Sequence, residues 1–198
     1  MSEFPQTLRD FLKNKNNLKQ TETTATFFRA SSPRFATKPN LTELQKASVG
    51  SFLRGGRFNR IGHFHVLYLS TDEETCLAEM KKYADRGSLP LKKPTPYTLA
   101  PWEVKLTKVL DLTDDEVRQK LQIDEDMICK TDWETLQNYY EIQASTQRLG
   151  EVARDSGFAA LLTPSAARTG GKNLSVFVDN IDGSHQVCNV CDPDEFPP

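Results

Sequence analysis

The densest run of chemistry-bearing residues is GGRFNRIGHFHVLYLSTDEETCLAEM, residues 55–80. Gly55 and Gly56 let the backbone approach a ligand closely. Arg57 follows at once, and its planar guanidinium suits bidentate contact with phosphate. Tyr68 falls in the middle of an apolar run. Glu79 lies on the helical stretch that follows. On a helical wheel it stands about 100° from the centre of the stripe made by Cys76, Leu77, Met80, Tyr83 and Ala84. A carboxylate at the rim of a buried face can line a cleft. Two residues outside this run carry comparable potential. Arg29 interrupts an apolar strand pattern, FFRAS, where a charge needs a partner or a ligand. Ser165 follows Pro164 at the end of AALLTP, and a strand-end turn is a common place for a binding hydroxyl. Each also has a plain alternative: a solvated glutamate, an arginine in a turn, a tyrosine packed in a sheet. Most charged residues are simply solvated, and residue types alone leave both readings open.

Other chemistries fail on spacing. Gly170-Gly171-Lys172 is followed by Asn173, where a phosphate loop needs Ser or Thr, and the earlier glycine of that motif is missing. There is no G-x-G-x-x-G for a dinucleotide fold. There is no G-x-S-x-G either, and the chain has three histidines. His185, Cys188 and Cys191 give H-x2-C-x2-C, and His63 and His65 give H-x-H. A zinc site needs about four converging ligands, and one cysteine pair falls short of that, so no metal is expected. The same CxxC lies after a strand and before Pro193, which is no setting for a redox helix.

The elements that must position these residues are legible in outline. The chain has 198 residues, 37% hydrophobic and 26% charged, enough for one packed domain with an appendage. Its net charge of -2 gives no support for nucleic-acid binding through bulk charge. No apolar run approaches the roughly 18 residues of a membrane helix. The N-terminus lacks a signal-peptide core, so a soluble cytoplasmic protein is expected. Residues 1–22 read as a polar extension with one amphipathic helix over Thr7–Leu18, Leu8, Phe11 and Leu12 on one face. Residues 23–192 read as the domain and 193–198 as a tail.

Within the domain, strands are predicted at 25–31, 65–70, 102–112, 159–165, 174–180 and 185–189, the last two forming a closing antiparallel end. Residues 31–55 form a long excursion with at most one short helix near Leu41–Lys46. Ser70-x-x-Glu73 and Thr71-x-x-Glu74 both fit a capping box for the helix after them. The segment 87–101, with four prolines, is a connector. A short helix follows Thr113, and a long one, capped by Asp132, runs from Trp133 to Arg154. Strands mixed with segregated helices argue an α+β fold, with mixed, mostly antiparallel sheets and flanking helices.

Arg57, Glu79 and Ser165, in that order, resemble the RES domain, a family named for its Arg, Glu and Ser. The matching phrases are FFRAS, GGRFNRIGHFHVLYLS, TDEETCLAEM and GFAALLTPSAARTGGKNLSVF, together spanning about Ala25 to Val178. The resemblance implies a fold like that of ADP-ribosyltransferase toxins and an active site of Arg57, Tyr68, Glu79 and Ser165. It implies an enzyme that consumes NAD+ as a co-substrate, with no recycled cofactor and no metal. It also implies a bacterial toxin whose partner is a cognate antitoxin protein. The acceptor within the family is water, inorganic phosphate or a protein side chain. Residues 1–22 and 87–135 depart from compact members.

On that resemblance, Arg57 holds phosphate, with Arg29 as a second cation. Glu79 hydrogen-bonds a ribose hydroxyl and stabilises an oxocarbenium-like transition state of the type met in glycoside cleavage. Tyr68 contacts the nicotinamide riboside, and Ser165 orients the ligand. An NAD+ glycohydrolase or phosphorylase is the first expectation. A protein ADP-ribosyltransferase and a catalytically inactive binding module are the alternatives.

Overall fold

The computed structural model describes residues 4–13, 21–31, 41–85 and 97–190. Among them, β1 (Thr21–Ser31), β2 (Val66–Ser70), β3 (Thr98–Asp111), β4 (Ala160–Pro164), β5 (Lys172–Phe177) and β6 (Gln186–Asn189) form one sheet. It is flanked by α1 (Phe4–Lys13), α2 (Leu41–Ala47), α3 (Val49–Arg54), α4 (Glu73–Asp85), α5 (Asp115–Leu121), α6 (Glu125–Lys130), α7 (Trp133–Asn138) and α8 (Ser145–Asp155). The strand order is β1-β2-β5-β4-β3-β6, and β1 also pairs with β3, so the sheet turns back on itself. All pairings are antiparallel except β3 with β4. A parallel pair needs a long crossover, and the segment carrying α5 to α8 supplies it. The α+β expectation holds.

The sheet divides two cores. On one side Leu67 and Leu69 of β2 meet Phe27, Trp102, Leu174 and Val176. On the other, Val66 meets Phe58, Phe64, Leu149, Val152 and Phe177. Leu8 and Leu12 of α1, 4% and 5% exposed, join that second cluster. The N-terminal helix is therefore packed core, beginning before the predicted Thr7; residues 14–20, with the predicted end at Leu18, lie outside the described residues.

Several local expectations are corrected. The excursion after β1 carries two helices, α2 and α3, joined at Ser48, whose hydroxyl donates to Leu44 O at 2.7 Å. Neither predicted capping box starts α4. Asp72 does, its Oδ1 accepting from the Thr75 N–H at 2.8 Å and its Oδ2 from the Thr75 hydroxyl at 2.8 Å. Leu77, placed in the apolar stripe, is 53% exposed.

The single helix predicted over 133–154 is two. After Asn138 the N–H groups of Tyr139 and Tyr140 both turn to Thr135 O, Glu141 adopts φ +56, and α8 restarts at Ser145. There Gln147 Oε1 accepts from the Ala144 N–H at 3.2 Å. The buried Gln147 also donates to Gly56 O and to Gln137 Oε1, which fixes α8 against the 55–59 turn. Gly150 permits that approach, since a Cβ there would fall 1.9 Å from Phe58 O. Finally, β5 and β6 do not pair with each other: β5 lies between β2 and β4, and β6 lies on β3. Two-residue periodicity identifies a strand but not its partner.

Candidate active site

A cleft of about 680 Å³ opens between α4, α6, the start of α5 and the turn 164–172. That size suits a small-molecule ligand. Lys82, Arg118, Lys130, Arg168 and Lys172 line it against two carboxylates, Glu125 and Asp126. Among the lining residues cations outnumber carboxylates, and an anion could compete for them. Some of these cations are tethered. Lys130 meets Asp126 at 2.7 Å, Arg118 meets Asp115 and Glu125, and Arg168 reaches Asp72 at 3.4 Å and Glu74.

Ser165 lines the cleft, at the end of β4, and Glu79 stands directly behind it on α4. The Ser165 hydroxyl donates to Glu79 Oε1 at 2.6 Å, and Asn173 Nδ2 donates to the same oxygen at 2.7 Å. Among the described residues nothing donates to Glu79 Oε2. The Ser165 oxygen also accepts from the N–H groups of Ala167 and Arg168 at 3.1 and 3.2 Å. One proton given and two lone pairs filled saturate a hydroxyl, so the Ser165 hydroxyl is engaged with Glu79 and its own turn.

Arg57 Nη1 donates to Ile128 O at 2.7 Å and to Thr131 O at 3.1 Å, at the C-terminal end of α6. The cleft residues between those carbonyls are Cys129 and Lys130, and Cys129 carries a thiol. Burial pushes its thiol above the usual range, as does the Glu125 charge, while the charges of Arg57 and Lys82 oppose the shift. The Glu79 charge acts on the same thiol, in the same direction as that of Glu125.

Tyr68 serves the turn that carries Arg57. Its hydroxyl accepts from the Phe58 N–H at 2.9 Å and donates to Asn59 Oδ1 at 2.9 Å. A Cβ on Gly56 would lie 2.5 Å from that hydroxyl, so the close approach at Gly56 is to Tyr68.

Arg29 Nη2 donates to Ala47 O at 2.9 Å, while Nη1 is buried with no hydrogen-bond partner. Burial lowers the guanidinium to about 10, and the nearby Cys76 partly opposes this. Cys76, which also feels Glu79, lies one turn before it on α4.

The structure thus brings Glu79 and Ser165 into contact, sets Arg57 behind α6, and uses Tyr68 to pin the intervening turn. Asn173, whose side chain donates to Glu79, is the contact that the residue pattern did not signal. Lys82 carried a signal, being three residues after Glu79 and so on the same helical face.

A probable NAD(+) phosphorylase of Mycobacterium tuberculosis, Rv3189, is 34% identical over 132 residues, covering 62% of this chain and 53% of its own length. The chain therefore spans about half the length of that relative. A chain of the M. tuberculosis MbcT–MbcA toxin–antitoxin complex superposes with a TM-score of 0.68 at 22% identity, over 98% of this chain and 95% of the other. That likeness establishes the fold. The RES domain model matches residues 26–197, a span that takes in the turn of Arg57, the strand of Tyr68, the helix of Glu79 and the turn of Ser165, and so the chain belongs to the RES domain family.

Proposed function

We propose that this chain is an enzyme that cleaves the nicotinamide–ribose bond of NAD+ and passes the ADP-ribosyl unit to a small acceptor, inorganic phosphate or water. The observation that carries this reading is Glu79: two neutral donors converge on Oε1 beside a cation-lined cleft, with Oε2 accepting nothing from the described residues. In the reaction the C–N bond breaks with its electron pair going to the pyridinium nitrogen, which neutralises the ring. The ribose carbon becomes oxocarbenium-like, and Glu79 Oε2 binds a ribose hydroxyl and opposes the developing positive charge. Ser165 and Asn173 hold that carboxylate in one orientation. The cleft cations attract the pyrophosphate, Arg57 supports phosphate binding from behind α6, and Arg29, on β1, is the second cation. Phosphate or water then attacks the ribose carbon, and water loses a proton to solvent.

The name of the M. tuberculosis relative supports phosphate as acceptor. The toxin–antitoxin assembly of the structural neighbour supports a role as the toxin of such a pair, acting on cytoplasmic NAD+ and silenced by a cognate antitoxin. Two experiments test this. Purified chain is incubated with NAD+, with and without phosphate, and the products are identified by mass spectrometry. Free nicotinamide should appear with ADP-ribose 1″-phosphate when phosphate is present and with ADP-ribose when it is absent; intact NAD+ in both refutes the reading. In cells, wild-type chain should lower NAD+ and arrest growth, and Glu79→Gln should do neither. Equal NAD+ in both strains at equal protein levels refutes the toxin role.

A further inference from the structure

We propose that Ser70 is a positioning residue for the Glu79 carboxylate, acting through the side-chain amide of Asn173. Ser70 ends β2, and Asn173 is its direct partner across the antiparallel pair with β5. Ser70 also faces Phe28 of β1, so its backbone is held from both edges at the junction of three strands. It is buried, and its hydroxyl donates to Asn173 Oδ1 at 2.8 Å. The other end of that amide donates to Glu79 Oε1 at 2.7 Å.

The chemistry of the three groups fixes the direction of the chain. An ionised carboxylate only accepts hydrogen bonds, so the amide must present its nitrogen to Glu79. Its oxygen then faces Ser70, where a donor is required, and the one hydroxyl proton supplies it. Each bond in such a series polarises the next, so the amide N–H facing the carboxylate is a better donor for having its carbonyl engaged. Without the Ser70 hydroxyl, the partly buried Oδ1 loses its donor. The amide rotates to find another, and Glu79 is left with Ser165 alone. Ser70 lies behind Asn173 and does not line the cleft, so its effect falls on the orientation of Glu79 and not on substrate contact. The kinetic part of this inference rests on the NAD+-cleaving reading; the structural part does not.

The test uses the full chain with Ser70→Ala, Ser70→Thr and Ser70→Cys. The first readout needs no activity: the side-chain amide resonances of Asn173 in a nitrogen–proton NMR spectrum, assigned by their loss in Asn173→Asp. In wild type one amide proton should be displaced and protected from solvent exchange by the carboxylate. Ser70→Ala should move both resonances to solvent-exposed positions, Ser70→Thr should keep them, and Ser70→Cys, a weaker donor of similar size, should fall between. The second readout is kinetic. Loss of one hydrogen bond should lower kcat roughly 3- to 10-fold in Ser70→Ala, with KM for NAD+ within twofold of wild type, and Ser70→Thr should restore it. Unchanged Asn173 resonances in folded Ser70→Ala or Ser70→Cys overturn the inference whether or not the protein consumes NAD+. Displaced resonances with unchanged kcat overturn its catalytic half. Displaced resonances in a protein whose wild type leaves NAD+ intact refute the NAD+ reading and uphold the Ser70 contact.

Discussion

Glu79→Gln removes the proposed electrostatic term while keeping the shape of the site. Glutamine retains an oxygen that accepts from Ser165 and Asn173, so the contacts at 2.6 and 2.7 Å persist as neutral hydrogen bonds. Their weakening from charge-assisted to neutral costs about 1 kcal/mol of stability, and the melting temperature should fall by a few degrees. The position of Oε2 becomes an NH2 group, neutral and donating. Opposite unit charges about 4 Å apart in a medium of effective dielectric near 20 attract by roughly 4 kcal/mol. An oxocarbenium carries only part of a full charge, so about 3–4 kcal/mol is lost from the transition state. That corresponds to roughly 10²- to 10³-fold in rate. Nicotinamide release is followed by chromatography at saturating NAD+, beside a thermal melt of the same preparation. A folded Glu79→Gln protein that releases nicotinamide within a factor of two of wild type refutes the electrostatic role.

Ser165→Ala should lower kcat roughly 3- to 10-fold without forming or losing any covalent adduct; an ADP-ribosyl adduct mapped to Ser165 by intact-protein mass spectrometry would replace orientation with covalent catalysis. Arg57→Lys keeps the charge but loses the planar fork, and should raise KM for NAD+ while loosening the end of α6, read as a lower melting temperature; NAD+ binding by Arg57→Ala equal to wild type in a titration removes Arg57 from the binding site. The Cys129 thiol, raised by burial, should react with iodoacetamide more slowly than a free thiol at neutral pH and need a more alkaline pH to speed up, and NAD+ should protect it; equal labelling with and without NAD+ would place the ligand elsewhere. Deleting residues 1–13 uncovers the pocket of Leu8 and Leu12, each worth about 1.5–3 kcal/mol, so the truncated chain should lose several kcal/mol in denaturant titration; unchanged stability would contradict the packing of α1.

The strands were legible because 102–112 alternates, one face toward a core, while 65–70 and 159–165 are short apolar runs buried on both faces. Their order was not, since β5 and β6 carry no mark of which edge they join. The break at Tyr139–Ala144 contains neither proline nor glycine. It follows from Gln147, whose buried amide ties α8 to Gly56 and Gln137, residues distant in sequence or on another helix. Leu8 and Leu12 lay in a polar segment whose helix face is seen as core only once α8 is beneath it. In the site, Glu79 was readable from its place beside the helical stripe, and Ser165 from its strand-end turn. Asn173 was not, because its role comes from standing opposite Ser70 across two strands 103 residues apart. Arg57 was legible as a cation near a turn, but the carbonyls of Ile128 and Thr131 that hold it lie on a helix no local pattern links to it.

The donors that orient Glu79 are made late in synthesis. Ser165 follows it by 86 residues and Asn173 by 94. At about 5–20 residues per second, a ribosome needs roughly 5–19 s after adding Glu79 to reach Asn173. For most of that interval the nascent chain has its carboxylate but lacks β4 and the turn after it, and β5 comes last. A premature stop or a proteolytic cut before the last strands therefore yields an inert fragment rather than a weak enzyme. If this chain drains NAD+, the cell that makes it is exposed only on completion, and a partner synthesised beforehand has that delay in which to be waiting.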